Sequence, residues 1–150
     1  IIRDILKAGR RSQSAKNLQP WDYVVIQDRE RLRQLADQGK FSPFLAEAPL
    51  AVLILTPDPA ERFQILFDAG QTAAYMQLAA WEYGVGSCPV TSFNRKGVRT
   101  LLNIPEDRHI RIAVAFGYPA LTGQTRKSSR SGRRTFAEVV HWETWTDKEG

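Results

Sequence analysis

The chain has 150 residues, 43% of them hydrophobic and 25% charged, which suits one globular domain over residues 1–150 and leaves too little chain for two domains of ordinary size. Its formal charge of +5 points first to nucleic acid, yet Arg126, Lys127, Arg130, Arg133 and Arg134 crowd into residues 121–134 without an acid, and the remainder is electrically balanced. A nucleic-acid binder spreads phosphate contacts over a face or groove, whereas one short basic loop suits a single phosphate or a solvated surface. The single cysteine, Cys88, excludes an internal disulfide, and with only His109 and His141 beside it there is no ligand set for zinc.

Ile2, Ile5 and Leu6 repeat at helical spacing, so residues 1–8 form the last turns of an amphipathic helix that Gly9 can close. A polar loop runs from Arg10 to Pro20. Tyr23 to Ile26 is a β-branched and aromatic strand, after which Asp28 caps a helix carrying Leu32, Leu35 and Ala36. Leu50 to Leu55 is continuously apolar, as expected of a central strand covered on both faces. Between Glu61 and Tyr83 there is no proline, and Phe63, Leu66, Phe67, Ala73, Ala74, Leu78 and Trp81 predict the apolar face of a long core helix, about 35 Å from end to end at 1.5 Å per residue.

Gly84 and Gly86 end that helix, and Val85 to Val90 predicts a strand in which Cys88 is a small buried hydrophobe. Asn94 caps a helix holding Val98, Leu101 and Leu102. Ile110, Ile112, Val114 and Phe116 alternate with Arg111, Ala113 and Ala115, a strand with one strongly apolar face and one of mostly small residues. Phe136, Val139, Val140, Trp142 and Trp145 make an apolar tail that should dock on its own domain or on a partner subunit. The elements together predict an α/β or α+β domain around a central sheet. No apolar run reaches the roughly 20 residues of a membrane span and the N-terminus lacks a signal-peptide layout, so the expectation is a cytoplasmic protein with no membrane partner. Because the sequence opens on Ile1 and its only methionine is Met76, it is expected to be a processed or truncated product.

Among the motifs, Gly84-Val85-Gly86 follows a helix instead of a strand, with Pro89 where a third glycine belongs, and so is no dinucleotide fingerprint. No phosphate-binding loop and no nucleophile elbow is present. Asp68 is expected to be paired or exposed, in preference to a buried functional carboxylate. The string Ser14-Ala15-Lys16-Asn17-Leu18-Gln19-Pro20-Trp21 gathers a hydroxyl, two carboxamides and a cation in one loop. Such a mixed donor and acceptor lining suits a heteroaromatic ring with alternating carbonyls and ring nitrogens, and equally a polar turn bonded to its own backbone.

That string resembles the signature loop of the FMN-dependent nitroreductase family. The similarity continues in order through Asp68-Ala69-Gly70, Tyr83 to Phe93, the Leu102 to Glu106 turn, Ala115 to Pro119, and Arg133 to His141. The family's usual Arg-Arg-Ser-x-Arg opening would fall before Ile1, Gln13 stands where proline is frequent, and Thr91-Ser92 replaces a pair often rich in glycine. The resemblance implies an α+β fold, with a mixed or antiparallel sheet flanked by helices and a long core helix. It further implies a homodimer with FMN at the interface, reduced by NADH or NADPH and reoxidised by a small electron-poor acceptor in a ping-pong cycle. Carried over by position, Ser14, Asn17 and Gln19 would line the flavin ring or ribityl chain, Pro89, Val90, Thr91 and Ser92 would lie against the ring, and Arg133 and Arg134 would meet the phosphate. No side chain need be a catalytic acid or base. The alternatives are a flavin-binding protein with little turnover and, less favoured, a basic nucleic-acid-binding domain; no nucleic-acid partner is expected.

Overall fold

The most apolar stretch of the sequence organises the first part of the structure. In this computed structural model residues 1–120 and 132–145 are described, and the chain divides into two units, Ile1–Pro119 and Ala120–Gly150. In the first, strand β2 (Leu50–Thr56) is buried at every position. It lies inside a four-stranded sheet of order β1-β2-β4-β3, with β1 (Asp22–Ile26), β3 (Gly86–Val90) and β4 (His109–Gly117), antiparallel throughout. Alternate side chains of β2 feed two cores. Ala51, Leu53 and Leu55 meet Leu32, Leu35, Leu45 and Val98, whereas Leu50, Val52 and Ile54 meet Ile5, Ala73 and Met76. Each fully buried Leu, Ile or Val contributes roughly 1.5–3 kcal/mol, which explains why the strand with no polar face is an interior one.

Helices cover both faces, giving the α+β architecture. On one side lie α2 (Arg29–Ala36) and α4 (Arg95–Leu102), each started by the side chain the sequence predicts: Asp28 accepts from Arg31 N at 2.9 Å and Asn94 from Gly97 N at 3.2 Å. Residues 40–48, to which the sequence assigns no element, include a 3-10 turn at Pro43–Ala46 that buries Leu45. On the other side lie α1 (Ile2–Arg10) and α3 (Gln64–Glu82). The 19 residues of α3 span about 28 Å.

Several expectations are corrected. Gly9 lies inside α1 instead of closing it, because it is the point where α1 crosses α3: a Cβ there would overlap the end of the Met76 side chain and stand 2.7 Å from its Cγ. The apolar face of α3 is turned the other way. Ile65, Ala69, Thr72, Ala73, Met76 and Ala80 face inward, while Phe63, Leu66, Phe67, Leu78 and Trp81 are exposed, Trp81 at 75%. Small residues let α3 lie close to α1 and the sheet, and spacing alone does not say which of two apolar faces turns inward. The alternation in β4 is broken by a bulge: Ile54 pairs with Ile112 but Leu55 with Ile110, leaving Arg111 as the extra residue. Ile110 therefore joins the core of Ala113 and Ala115, opposite Ile112, Val114 and Phe116. Cys88 is exposed on the edge strand β3, and burial of its surroundings pushes its thiol pKa up.

The second unit, described over residues 132–145, holds one helical turn, α5 (Phe136–Val139), started by a capping box between Thr135 and Glu138. Phe136, Val139, Trp142 and Trp145 are exposed. His141 stacks on Trp145 with ring centroids 4.2 Å apart.

The Gly9 crossing yields a first prediction. Gly9→Ala should lower stability by about 1–3 kcal/mol despite its better helix propensity, since fully buried Met76 has no room to retreat. Urea denaturation of the two proteins reads this directly.

Candidate functional site

The loop between α1 and β1 is built around unusual backbone. Lys16, Asn17 and Gln19 adopt left-handed conformations, with φ of 55°, 55° and 51°, at a cost of about 1 kcal/mol or more each for residues with side chains. Local bonds hold the shape. Asn17 N donates to Ser14 O, Gln19 N donates to Ser14 Oγ at 2.9 Å, and Trp21 N donates to Gln19 O. Trp21 anchors the exit of the loop in the core formed by α1 and α3.

Helix α3 supplies the rest. Asp68, 2% exposed, accepts the Ala15 N–H at 3.1 and 3.2 Å through its two carboxylate oxygens. It is paired, to loop backbone, but it is also buried, which the sequence disfavours. Gln71 Nε2 donates to Gln13 Oε1 at 2.8 Å and to Gln13 O at 3.3 Å, and the Tyr75 hydroxyl donates to the same Oε1 at 2.6 Å. Thr72 Oγ1 donates its single proton to Gly9 O at 2.8 Å, so the Tyr23 hydroxyl, 2.5 Å away, must be the donor to Thr72. Sequence reasoning missed Gln13, Gln71 and Tyr75. The available signal was the polar stripe Asp68, Gln71, Thr72, Tyr75 at spacings of three and four, on a helix otherwise rich in apolar residues.

The second loop follows β3. That strand reverses direction after α3, with Gln77 Nε2 donating to Ser87 Oγ at 3.1 Å. Beyond it the chain is pinned at α2: Asn94 N donates to Gln38 O at 2.7 Å, and Gly39 lets Ser92 O approach so closely that a Cβ would collide with it.

The sequence-predicted residues fall into three groups. Ser14 is half-buried and committed to the loop, whereas Asn17 and Gln19 are exposed. The Asn17 carboxamide makes no hydrogen bond among the described residues, and the Gln19 carboxamide has only a long one, 3.4 Å, to Asn17 O. Pro89, Thr91 and Ser92 are exposed, while the Val90 side chain is in the core, so Val90 can offer a ligand only its backbone. Arg133 and Arg134 are exposed in the second unit. Arg134 donates to Glu138 O at 2.5 Å, and Arg133 has no partner among the described residues. A cavity of about 690 Å³ lies at the opposite end of α1 from the first loop, lined by Ile2, Ile5, Leu50, Val85 and Phe116, and contains none of these residues.

The model of the nitroreductase family matches residues 31–118, more than half of the chain. The chain belongs to the nitroreductase family. It is 31% identical to the NADH dehydrogenase of Thermus thermophilus, across 95% of this chain and 84% of that protein. It is 28% identical to the iodotyrosine deiodinase of Thermotoga neapolitana, across 76% and 74%. A solved FMN-dependent nitroreductase of Clostridium difficile superposes with a TM-score of 0.77 at 26% identity, covering 96% of this chain and 87% of that one. As a nitroreductase-family member the chain is an oxidoreductase with the α+β fold of that family. Among the described residues no helix is long and apolar enough to cross a membrane, and none forms a cluster able to hold a metal ion.

The Tyr23 bond gives a pH prediction. Burial, with a smaller contribution from the Asp22 charge, pushes the Tyr23 phenol from 10.0 up to about 12. A folded-state pKa above the unfolded one gives stability that is complete below pH 10 and is lost as pH rises through about 12. Tyr23→Phe should cost about 0.5–1.5 kcal/mol at pH 8 and lose less stability than the parent between pH 10 and 12, in urea melts at both ends of that window.

Proposed function

We propose that the chain is an FMN-dependent oxidoreductase that carries electrons from NADH or NADPH to an electron-poor small molecule, such as a nitroaromatic or a quinone. The observation that carries this reading is the strained loop fixed to α3, which holds the Asn17 and Gln19 carboxamides outward with almost no partners of their own. Free paired donors and acceptors on a rigid backbone suit the alternating polar edge of a flavin. The FMN-dependent relative of known structure and the relative named an NADH dehydrogenase support the same cofactor and donor.

In this reading residues 1–150 serve one FMN-binding domain. Asn17, Gln19 and the Ser14 hydroxyl hold the ring or ribityl chain, the backbone of Pro89 to Ser92 lies along the ring, and Arg133 and Arg134 neutralise the phosphate. FMN, when bound, would supply the redox chemistry that links the nicotinamide donor to the acceptor. The protein binds, orients and shields, and no side chain here needs to move a proton. A homodimer with FMN at its interface completes the proposal. The outward face of α3 supports it: Phe63, Phe67, Leu78 and Trp81 flank exposed Gly70 and Ala74, so a second copy could approach closely at the centre while burying large side chains on either side.

The purified protein should show flavin bands near ~450 nm that NADH or NADPH bleaches; bands that neither donor bleaches would favour the flavin-binding alternative. In titrations of flavin-free protein, Arg133→Ala or Arg134→Ala should weaken FMN about tenfold to a hundredfold and leave riboflavin unchanged, since a charge-assisted contact is worth roughly 1.5–3 kcal/mol. Asn17→Leu should weaken both flavins and shift the bound flavin's reduction potential; an unchanged potential removes Asn17 from the site.

Sedimentation supplies the remaining check. Leu78→Glu should shift a dimer toward monomer and release flavin with it, whereas a flavin-loaded monomer would overturn the interface.

A further inference from the structure

Asp68, Gln71 and Tyr75 occupy successive turns of one side of α3, and their side chains end on the first residues of the flavin-facing loop instead of on solvent or on one another. The Gln13 carboxamide oxygen is the common acceptor, taking the Gln71 amide at 2.8 Å and the Tyr75 hydroxyl at 2.6 Å, which uses both of its lone pairs. Three residues later the chain enters its left-handed stretch. A loop with this backbone relaxes unless its ends are held. Trp21 holds the exit, and the entry depends on Gln13 and Ala15.

We propose that Tyr75 and Gln71 are positioning residues of the flavin site: by locking Gln13 they set the orientation of the Asn17 and Gln19 carboxamides toward the ring, without touching the flavin themselves. This rests on the FMN-binding reading above. It assigns work to Gln13, a position where proline is frequent in the family, since a side chain clamped from α3 restrains the backbone by tertiary contact where a proline ring does so by covalent geometry. It also explains a phenol and a carboxamide placed four residues apart on a helix whose neighbouring inward positions are Ala, Thr and Met.

The test is a double-mutant cycle on FMN affinity, read by quenching of flavin fluorescence with flavin-free protein. Tyr75→Phe and Gln13→Ala should each weaken FMN about threefold to tenfold, the size of one lost hydrogen bond, and the double variant should be no weaker than the worse single one. Amide exchange at Ala15 and Asn17 in the flavin-free protein should accelerate in both single variants, while the global urea midpoint stays close to that of the parent, as for exposed contacts. Additive losses would mean that Tyr75 reaches the flavin directly and would overturn the positioning role. Unchanged affinity, or unchanged exchange in the two single variants, overturns it as well. Parent protein that binds no FMN would overturn the functional reading and this proposal together, whereas tight parent binding with additive losses overturns this proposal alone.

Discussion

Everything at the end of the first unit that carries the loop between α1 and β1 depends on how closely α1 can lie against α3. The crossing is set by Gly9 and sealed by a relay in which Tyr23 donates to Thr72 and Thr72 donates to the Gly9 carbonyl. One helix, one strand and the long central helix are thereby fixed at a single point, three residues before Ser12 and four before Gln13. A methyl group at position 9 would push the helices apart and carry the loop that follows with them. The polar side chains of α3 reach their targets only because the crossing brings the loop within hydrogen-bond distance.

Strain and restraint are balanced over a short stretch of chain. Three left-handed residues within four positions are costly for a flexible loop, and they persist where surrounding structure over-determines them. Here the restraint comes from both directions: Asp68 grips Ala15, Gln71 and Tyr75 grip Gln13, and Trp21 is buried behind the exit. The carboxamides left over, on Asn17 and Gln19, are the groups free to meet a ligand. A site ordered before its ligand arrives has less conformational entropy to lose on binding.

Much of this was legible in the sequence. The buried strand at Leu50 and the caps at Asp28 and Asn94 follow from side-chain chemistry acting over a few residues, whereas the loop at Ser14 to Trp21 was singled out by its resemblance to a family signature. What was not legible depends on tertiary choice. The two faces of α3 are both apolar, and which one turns inward is decided by the close fit of Ala69, Ala73 and Thr72 against α1, a property of shape that periodicity does not carry. The bulge at Arg111 is likewise invisible to an alternation count, because one extra residue exchanges the faces of everything before it. Gln71 and Tyr75 appear as ordinary helix-surface residues until the loop they hold is folded over them.

The second loop joins a fixed backbone to exposed side chains. Val90 is sunk in the core on one side, Asn94 is bonded to Gln38 on the other, and Ser92 O rests against Gly39. Between these anchors Thr91 and Ser92 project into solvent. Selection or laboratory evolution can therefore exchange the side chains at 91 and 92 while the main chain between them keeps its course, which makes this pair a place where surface chemistry can vary within an otherwise constant scaffold.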